Sequence, residues 1–154
     1  LSSVTDAVVT NLSTGDLYSA SKGKGSFKNG KKISVHKEKP LYKIVGVNSS
    51  GSSPELMNRL APIFEKHHHI RHMGANALEM AMFAEGLIDI FIDLRKKIRI
   101  QDLAGGYLLV KESDGLILDE NLKPLDSDLS YETRLSFIAA ANQEILDEVF
   151  SLIK

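Results

Sequence analysis

From residue 43 onward, short apolar runs typical of strands alternate with segments of helical periodicity, and no other feature restricts the chain as strongly. Strands separated by helices of about ten residues need crossover connections, which build an open, largely parallel sheet with helices on both faces. Lys43 to Asn48 reads as a strand that runs into Ser49-Ser50-Gly51-Ser52-Ser53. Pro54 then suits the first turn of a helix to about Lys66, with Leu56, Leu60, Ile63 and Phe64 on one face. His69 to His72 is a short strand. Gly74 opens a helix over Ala75 to Glu85, and Gly86 closes it. Ile88 to Leu94 is an apolar run covered on both faces. A base-rich loop, Arg95 to Gln101, leads to a helix from Asp102 to about Ser113. Gly115 to Leu118 and Ser136 to Ala140 are the last strands, and Asn142 caps a helix to Ile153.

The first forty residues follow a different pattern. Asp6 to Asn11 and Leu17 to Ser21 are β-prone runs joined by Ser13-Thr14-Gly15-Asp16, and Asn29-Gly30 between Ser26 to Lys28 and Lys31 to Val35 signals a type I′ turn. An antiparallel meander of this size cannot bury both faces by itself. The expected class is therefore α/β, with antiparallel hairpins over residues 1–40 and an αβα layered domain with a mostly parallel sheet over residues 41–154, divided at Pro40.

Charge and cysteine content remove several function classes. Nineteen basic and twenty acidic residues nearly cancel, which gives no global pull toward nucleic acid or acidic lipid. Eight lysines against Glu38 lie between Lys22 and Lys43, with Phe27 and Tyr42 interleaved; without arginine they read as a solvated face rather than a nucleic-acid stripe. The absence of cysteine excludes disulfide scaffolds, Cys-based zinc and thiol nucleophiles, and fits a cytoplasmic setting. No apolar run approaches the roughly 20 residues of a spanning helix, so no membrane partner is expected.

In open α/β sheets, ligands collect outside the carboxyl ends of strands, at helix N-termini. Two places qualify. Gly74-Ala75-Asn76 opens a helix whose first amides are expected to be unpaired. Asp102 follows Arg95, Lys96, Lys97 and Arg99 and precedes the small residues Ala104, Gly105 and Gly106. Its carboxylate suits either an N-cap or a divalent cation beside a phosphate. His67, His68 and His69 offer imidazoles without a nearby acid, which reads as ordinary histidine more readily than as a metal site. Lys22-Gly23-Lys24-Gly25 lacks the helix and Lys-Ser/Thr pair of a P-loop, and the serines at 49–53 form a connection rather than a nucleophile elbow.

Several stretches together resemble the inositol monophosphatase family. They are Thr14-Gly15-Asp16-Leu17-Tyr18; Lys22 to Lys31; Arg71-His72-Met73-Gly74-Ala75-Asn76-Ala77-Leu78; Gly86 to Asp93; and Asp102-Leu103-Ala104-Gly105-Gly106 through Glu112. The archaeal members, dual inositol monophosphatase and fructose-1,6-bisphosphatase enzymes, are most similar in flavour, because Asp102 follows an Arg-rich segment and Gln101 stands where Trp is common.

The resemblance implies Mg²⁺-assisted phosphate ester hydrolysis with two or three ions in the complete enzyme. It places Asp102 as a metal ligand, Gly74, Ala75 and Asn76 against the sugar or inositol ring, and Asp93 at the acid that contacts substrate hydroxyls. Arg99 falls on the substrate side, with Arg95 as a second arginine candidate. It also implies a homodimer and opening hairpins that belong to a larger antiparallel sheet. The family's upstream Glu-Glu pair and Asp-x-Ile-Asp-Gly-Thr motif are absent from these 154 residues. The chain thus looks like the C-terminal half of a phosphatase, expected to be inactive alone and to need the missing half or a second chain. The alternative is a non-catalytic module that binds a phosphorylated small molecule or a partner chain.

Overall fold

The computed structural model describes residues 1–36, 38, 43–128 and 130–154. The expected division at Pro40 and the candidate stacking residue Tyr42 lie outside the described residues.

Four strands, β1 (Asp6–Thr10), β2 (Leu17–Ser21), β3 (Gly25–Lys28) and β4 (Lys31–Ile33), form an antiparallel meander in that order. Its turns follow the residues expected. Gly15 has φ +77°, and Asn29 and Gly30 have φ +50° and +76°, the paired positive values of a type I′ turn. The lysines here are partly engaged: Lys28 Nζ lies 2.8 Å from Glu85 Oε1, and Lys22 Nζ donates to the Ser2 carbonyl.

The second sheet has five strands in the order β6 (His69–Arg71), β5 (Ile44–Val47), β7 (Ile90–Arg99), β9 (Arg134–Ala140) and β8 (Leu116–Leu118). Both neighbours of β5 are parallel to it, β9 is antiparallel to β7, and β8 is antiparallel to β9. Four strands therefore run one way and β9 runs against them. Four helices connect and cover the sheet: α1 (Pro54–Lys66), α2 (Asn76–Ala84), α3 (Ile100–Glu112) and α4 (Gln143–Leu152). Ser53 and Asn142 cap α1 and α4 by accepting from Leu56 N and Ile145 N. Helices α1 and α4 pack together, as do α2 and α3. Ile90 to Leu94 of β7 are buried on both faces.

The hairpins are not left on their own. Ala7, Tyr18 and Ala20 of the meander form one apolar cluster with Ala81 and Ala84 of α2 and Leu108 and Leu109 of α3. The α2–α3 layer thereby lies between the two sheets. Its halves approach closely because Gly106 faces Met80 with no side chain between them.

Two expectations need correction. The base-rich segment after Leu94 is not a loop: β7 continues to Arg99 through a bulge, advancing from Asp93 to Ile98 while β9 advances only from Phe137 to Leu135. Lys96 takes φ +54° within it. Helix α3 also starts earlier, at Ile100 with Arg99 as N-cap residue and no side-chain cap, so Asp102 does not cap its own helix.

The glycine pair in α3 provides a test of the packing. A Cβ on Gly106 would lie 2.5 Å from Met80 Sδ and 2.8 Å from Met80 Cβ, whereas one on Gly105 meets nothing closer than 3.9 Å. Gly106→Ala is expected to destabilise by about 1–3 kcal/mol through overpacking. Gly105→Ala should be neutral or stabilise by about 0.5–1 kcal/mol through helix propensity. Urea unfolding of the two variants checks the opposite signs.

Candidate active site

Strand β7 is pulled away from the regular ladder after Asp93, and its bulge turns Arg95 and Lys97 toward an open cleft of about 900 Å³. The cleft is also lined by β1 and the turn after it (Val8 to Ser13), by Asn48 and Ser50 after β5, by His72, and by Gly74, Ala75 and Asn76 at the start of α2. Ala77 and Leu78 of α2, Ile98 of β7, and Gln101, Asp102, Gly105 and Gly106 of α3 also line it. Of the residues singled out in the sequence, Gly74, Ala75, Asn76, Asp102 and Arg95 meet here. Arg99 and Asp93 are not among the lining residues.

Asp93 lies behind the wall with no exposed surface. Its Oδ1 accepts from Arg95 Nε at 2.9 Å, and its Oδ2 accepts from Arg95 Nη2 at 2.7 Å and from Asn76 Nδ2 at 3.1 Å. Asn76 in turn accepts from Asn48 Nδ2. The Asp93 hydrogen bonds raise the Arg95 pKa above the ordinary arginine value, so the guanidinium is a fixed cation. Arg95 Nη1 donates to the Ser50 carbonyl at 3.1 Å and Lys97 Nζ to the Gly51 carbonyl at 2.7 Å, which pins the serine-rich connection to the bulge.

At the start of α2 the expectation of unpaired amides meets one exception, the amide of the N-cap residue Ala75. Glu79, fully buried one turn into the helix, reaches back and accepts from Met73 N at 3.2 Å and Ala75 N at 3.0 Å. A carboxylate of the chain itself thus occupies part of the positive helix end. Arg95 and Lys97 bring full positive charges to the same cleft.

Asp102 stands in the first turn of α3 with its side chain 44% exposed, and its Oδ2 accepts from Arg99 Nε at 2.7 Å. This contact raises the Arg99 pKa above its ordinary value and ties the arginine to Asp102.

Sequence reasoning missed Asn48, Ser50 and His72 as cleft residues, while Lys97 belongs to the basic run it placed beside Asp102. The rule that ligands sit beyond the carboxyl ends of strands, applied to β5 as well as to the helix starts, points to Asn48 and Ser50. Nothing local marks Val8 to Ser13, because they belong to the other sheet.

The sequence and the fold match a known set of proteins. The profile of the inositol monophosphatase family matches residues 3–153. The chain belongs to that family. It is 33% identical, over its whole length and 54% of the relative, to the fructose-1,6-bisphosphatase/inositol-1-monophosphatase of Methanothermobacter thermautotrophicus. It is 32% identical to human inositol monophosphatase 1, with 92% of this chain and 50% of the relative covered. Among solved structures, an inositol monophosphatase-fructose 1,6 bisphosphatase superposes with TM-score 0.87 and 34% identity over 96% of this chain and 57% of that one. A Pyrococcus horikoshii protein with similarities for inositol-1 monophosphatase gives TM-score 0.85 and 28% identity, over 97% and 57%. The chain spans about half the length of these relatives and aligns to their C-terminal half.

The family's Mg²⁺ can be tested against the residues present. Among the described residues no group of three His, Asp or Glu side chains is placed to hold a metal ion. Asp102 is the carboxylate lining the cleft, and its Oδ1 has no hydrogen-bond partner among the described residues. Mg²⁺ is commonly bound through one or two carboxylates, with water and substrate phosphate filling its other positions. The residues therefore fit one ligand to a shared ion and do not fit a cluster.

The consecutive histidines lie apart from the cleft. His68 and His69 are exposed, while His67 is buried with Nε2 3.5 Å from Glu148 Oε1. Burial penalises the Glu148 carboxylate, but Lys43 and Lys66 outweigh it and hold its pKa below the ordinary value. Burial pushes the His67 pKa down, with Glu148 opposing and Lys43, Lys66 and His68 assisting. The fold thus prefers neutral His67. Its contribution is complete above about pH 6.5 and is lost as the pH falls through the lowered folded value, since the unfolded chain then binds the extra proton. Unfolding free energies measured from pH 7 down to about 5 should fall more steeply for the unmodified chain than for His67→Gln.

Proposed function

We propose that the chain is the substrate-side half of a Mg²⁺-dependent phosphomonoesterase acting on a phosphorylated sugar or inositol. The observation that carries this reading is the meeting of Asp102 with Arg95, Lys97 and the start of α2 around one cleft, in a chain of this family. When bound, Mg²⁺ would supply Lewis-acid stabilisation of a phosphoryl group and an activated water. Asp102 would be this chain's ligand to the ion. Arg95 and Lys97 hold fixed positive charge where an anionic ester enters, and Gly74 to Asn76 offer a surface with little side chain for a ring to lie against. Arg99 orients the Asp102 carboxylate through its Nε contact.

One carboxylate cannot organise two or three ions, so the chain alone is read as inactive, completed by residues that supply the missing acidic motif. A cytoplasmic homodimer is the working form proposed. Among the described residues no helix is long and apolar enough to cross a membrane.

A second reading draws on the same cationic wall: a non-catalytic module that captures a phosphorylated small molecule without metal. Calorimetry with fructose 1,6-bisphosphate separates the two. Under the first reading, Mg²⁺ strengthens binding, and Asp102→Asn removes that gain, with a loss of at least about tenfold, the scale on which even groups behind a metal ligand act. Binding indifferent to both Mg²⁺ and Asp102→Asn would select the second reading. A steady-state assay of the chain with Mg²⁺ and inositol monophosphate or fructose bisphosphate is expected to show no turnover above the metal-only blank; turnover would overturn the assignment of inactivity.

A further inference from the structure

A charge with no exposed surface is costly unless every lone pair finds a donor, and a buried ion pair is seldom needed for stability alone. Asp93 is such a charge. It is the last residue of β7 before the bulge, and its two oxygens accept from Arg95 N, Arg95 Nε, Arg95 Nη2 and Asn76 Nδ2 at 2.7–3.2 Å. No surface remains for a ligand to touch. What these bonds fix, however, faces the cleft on two sides. Arg95 has five N–H donors, and Nε, one on Nη2 and one on Nη1 are used by Asp93 and the Ser50 carbonyl. The remaining two have no partner among the described residues, and Arg95 lines the cleft. On the other side, an ionised carboxylate only accepts hydrogen bonds, so the Asn76 amide must turn Nδ2 to Asp93 and Oδ1 to Asn48. This orients the first residue of α2.

We propose that Asp93 is a positioning residue: its buried carboxylate locks the Arg95 guanidinium and the Asn76 carboxamide together, so that the bulge of β7 and the start of α2 present one rigid anion-receiving surface. The proposal rests on reading the cleft as a phosphate-ester site, and it assigns Asp93 a role behind the wall rather than a contact with substrate hydroxyls. Lys97, pinned to Gly51, extends the same surface without depending on Asp93.

The test is a double-mutant cycle on the full chain, read by calorimetry with fructose 1,6-bisphosphate in the absence of metal. Asp93→Asn keeps the volume but removes the charge, and Arg95→Lys keeps the charge but removes the fork. Each is expected to weaken binding by about tenfold, and the double variant to lose no more than either single one, because both changes disable the same guanidinium. Losses that multiply, or unchanged binding by a folded Asp93→Asn variant, overturn the proposal. A second measurement needs no variant. In nitrogen-15 NMR near neutral pH the Arg95 Nε–H should exchange with water far more slowly than that of exposed Arg71, and equal rates overturn the proposal even if Asp93→Asn fails to fold. Should the unmodified chain bind no phosphate ester, the functional reading falls, while slow Arg95 exchange still supports the positioning role.

Discussion

Strand β7 has to satisfy two opposed demands, and the rest of the site follows from how it does so. Over Ile90 to Leu94 it is the buried middle of a sheet covered on both faces, where any unpaired polar group is costly. Immediately afterwards the chain carries Arg95, Lys96 and Lys97, which cannot be buried in a ladder. The bulge between Asp93 and Ile98 resolves the conflict by releasing the basic residues from the register against β9. Lys96 N is satisfied by Ser136 Oγ, and Arg95 N by Asp93 Oδ1. The cleft's positive wall is thus a consequence of where a strand stops being able to pair.

The second layer of organisation is the α2–α3 pair between the two sheets. It depends on small residues: Gly106 against Met80, and alanines 81 and 84 against Ala7 and Ala20. Close packing leaves little room for adjustment, so the starts of both helices are held at fixed places along the cleft. Asn76 at one start and Asp102 in the first turn of the other therefore share a cavity although they lie on different helices. Glu79 tightens the same region by tying the α2 start to the chain before it.

Much of the fold was legible beforehand because it follows from local chemistry. Asn29-Gly30 requires the positive φ values it adopts, Asn142 caps α4 as expected, and the apolar runs became the buried strands. The errors came where tertiary pairing outweighed local composition. Arg95 to Gln101 has the composition of a loop, yet β9 supplies partners that carry β7 on to Arg99. Asp102 has the chemistry of an N-cap, yet α3 begins at Ile100 and leaves the carboxylate to Arg99 and the cleft. Glu79 carried no sequence signal, because its role comes from reaching back to amides that only the folded turn presents.

The sequence by itself determined the kinds of element, their order, the turns, and a family resemblance dense enough to name several of the residues around the cleft. Each of those depends on short spacings or on motifs carried by consecutive residues. Only the tertiary structure decided which charges face solvent and which face one another. Asp93 and Asp102 are both acids near the same basic segment, but one is buried under four hydrogen bonds and the other stands at the cleft. That difference is set by which strand lies alongside β7 and where the pairing slips, a long-range fact that no local pattern of residues encodes.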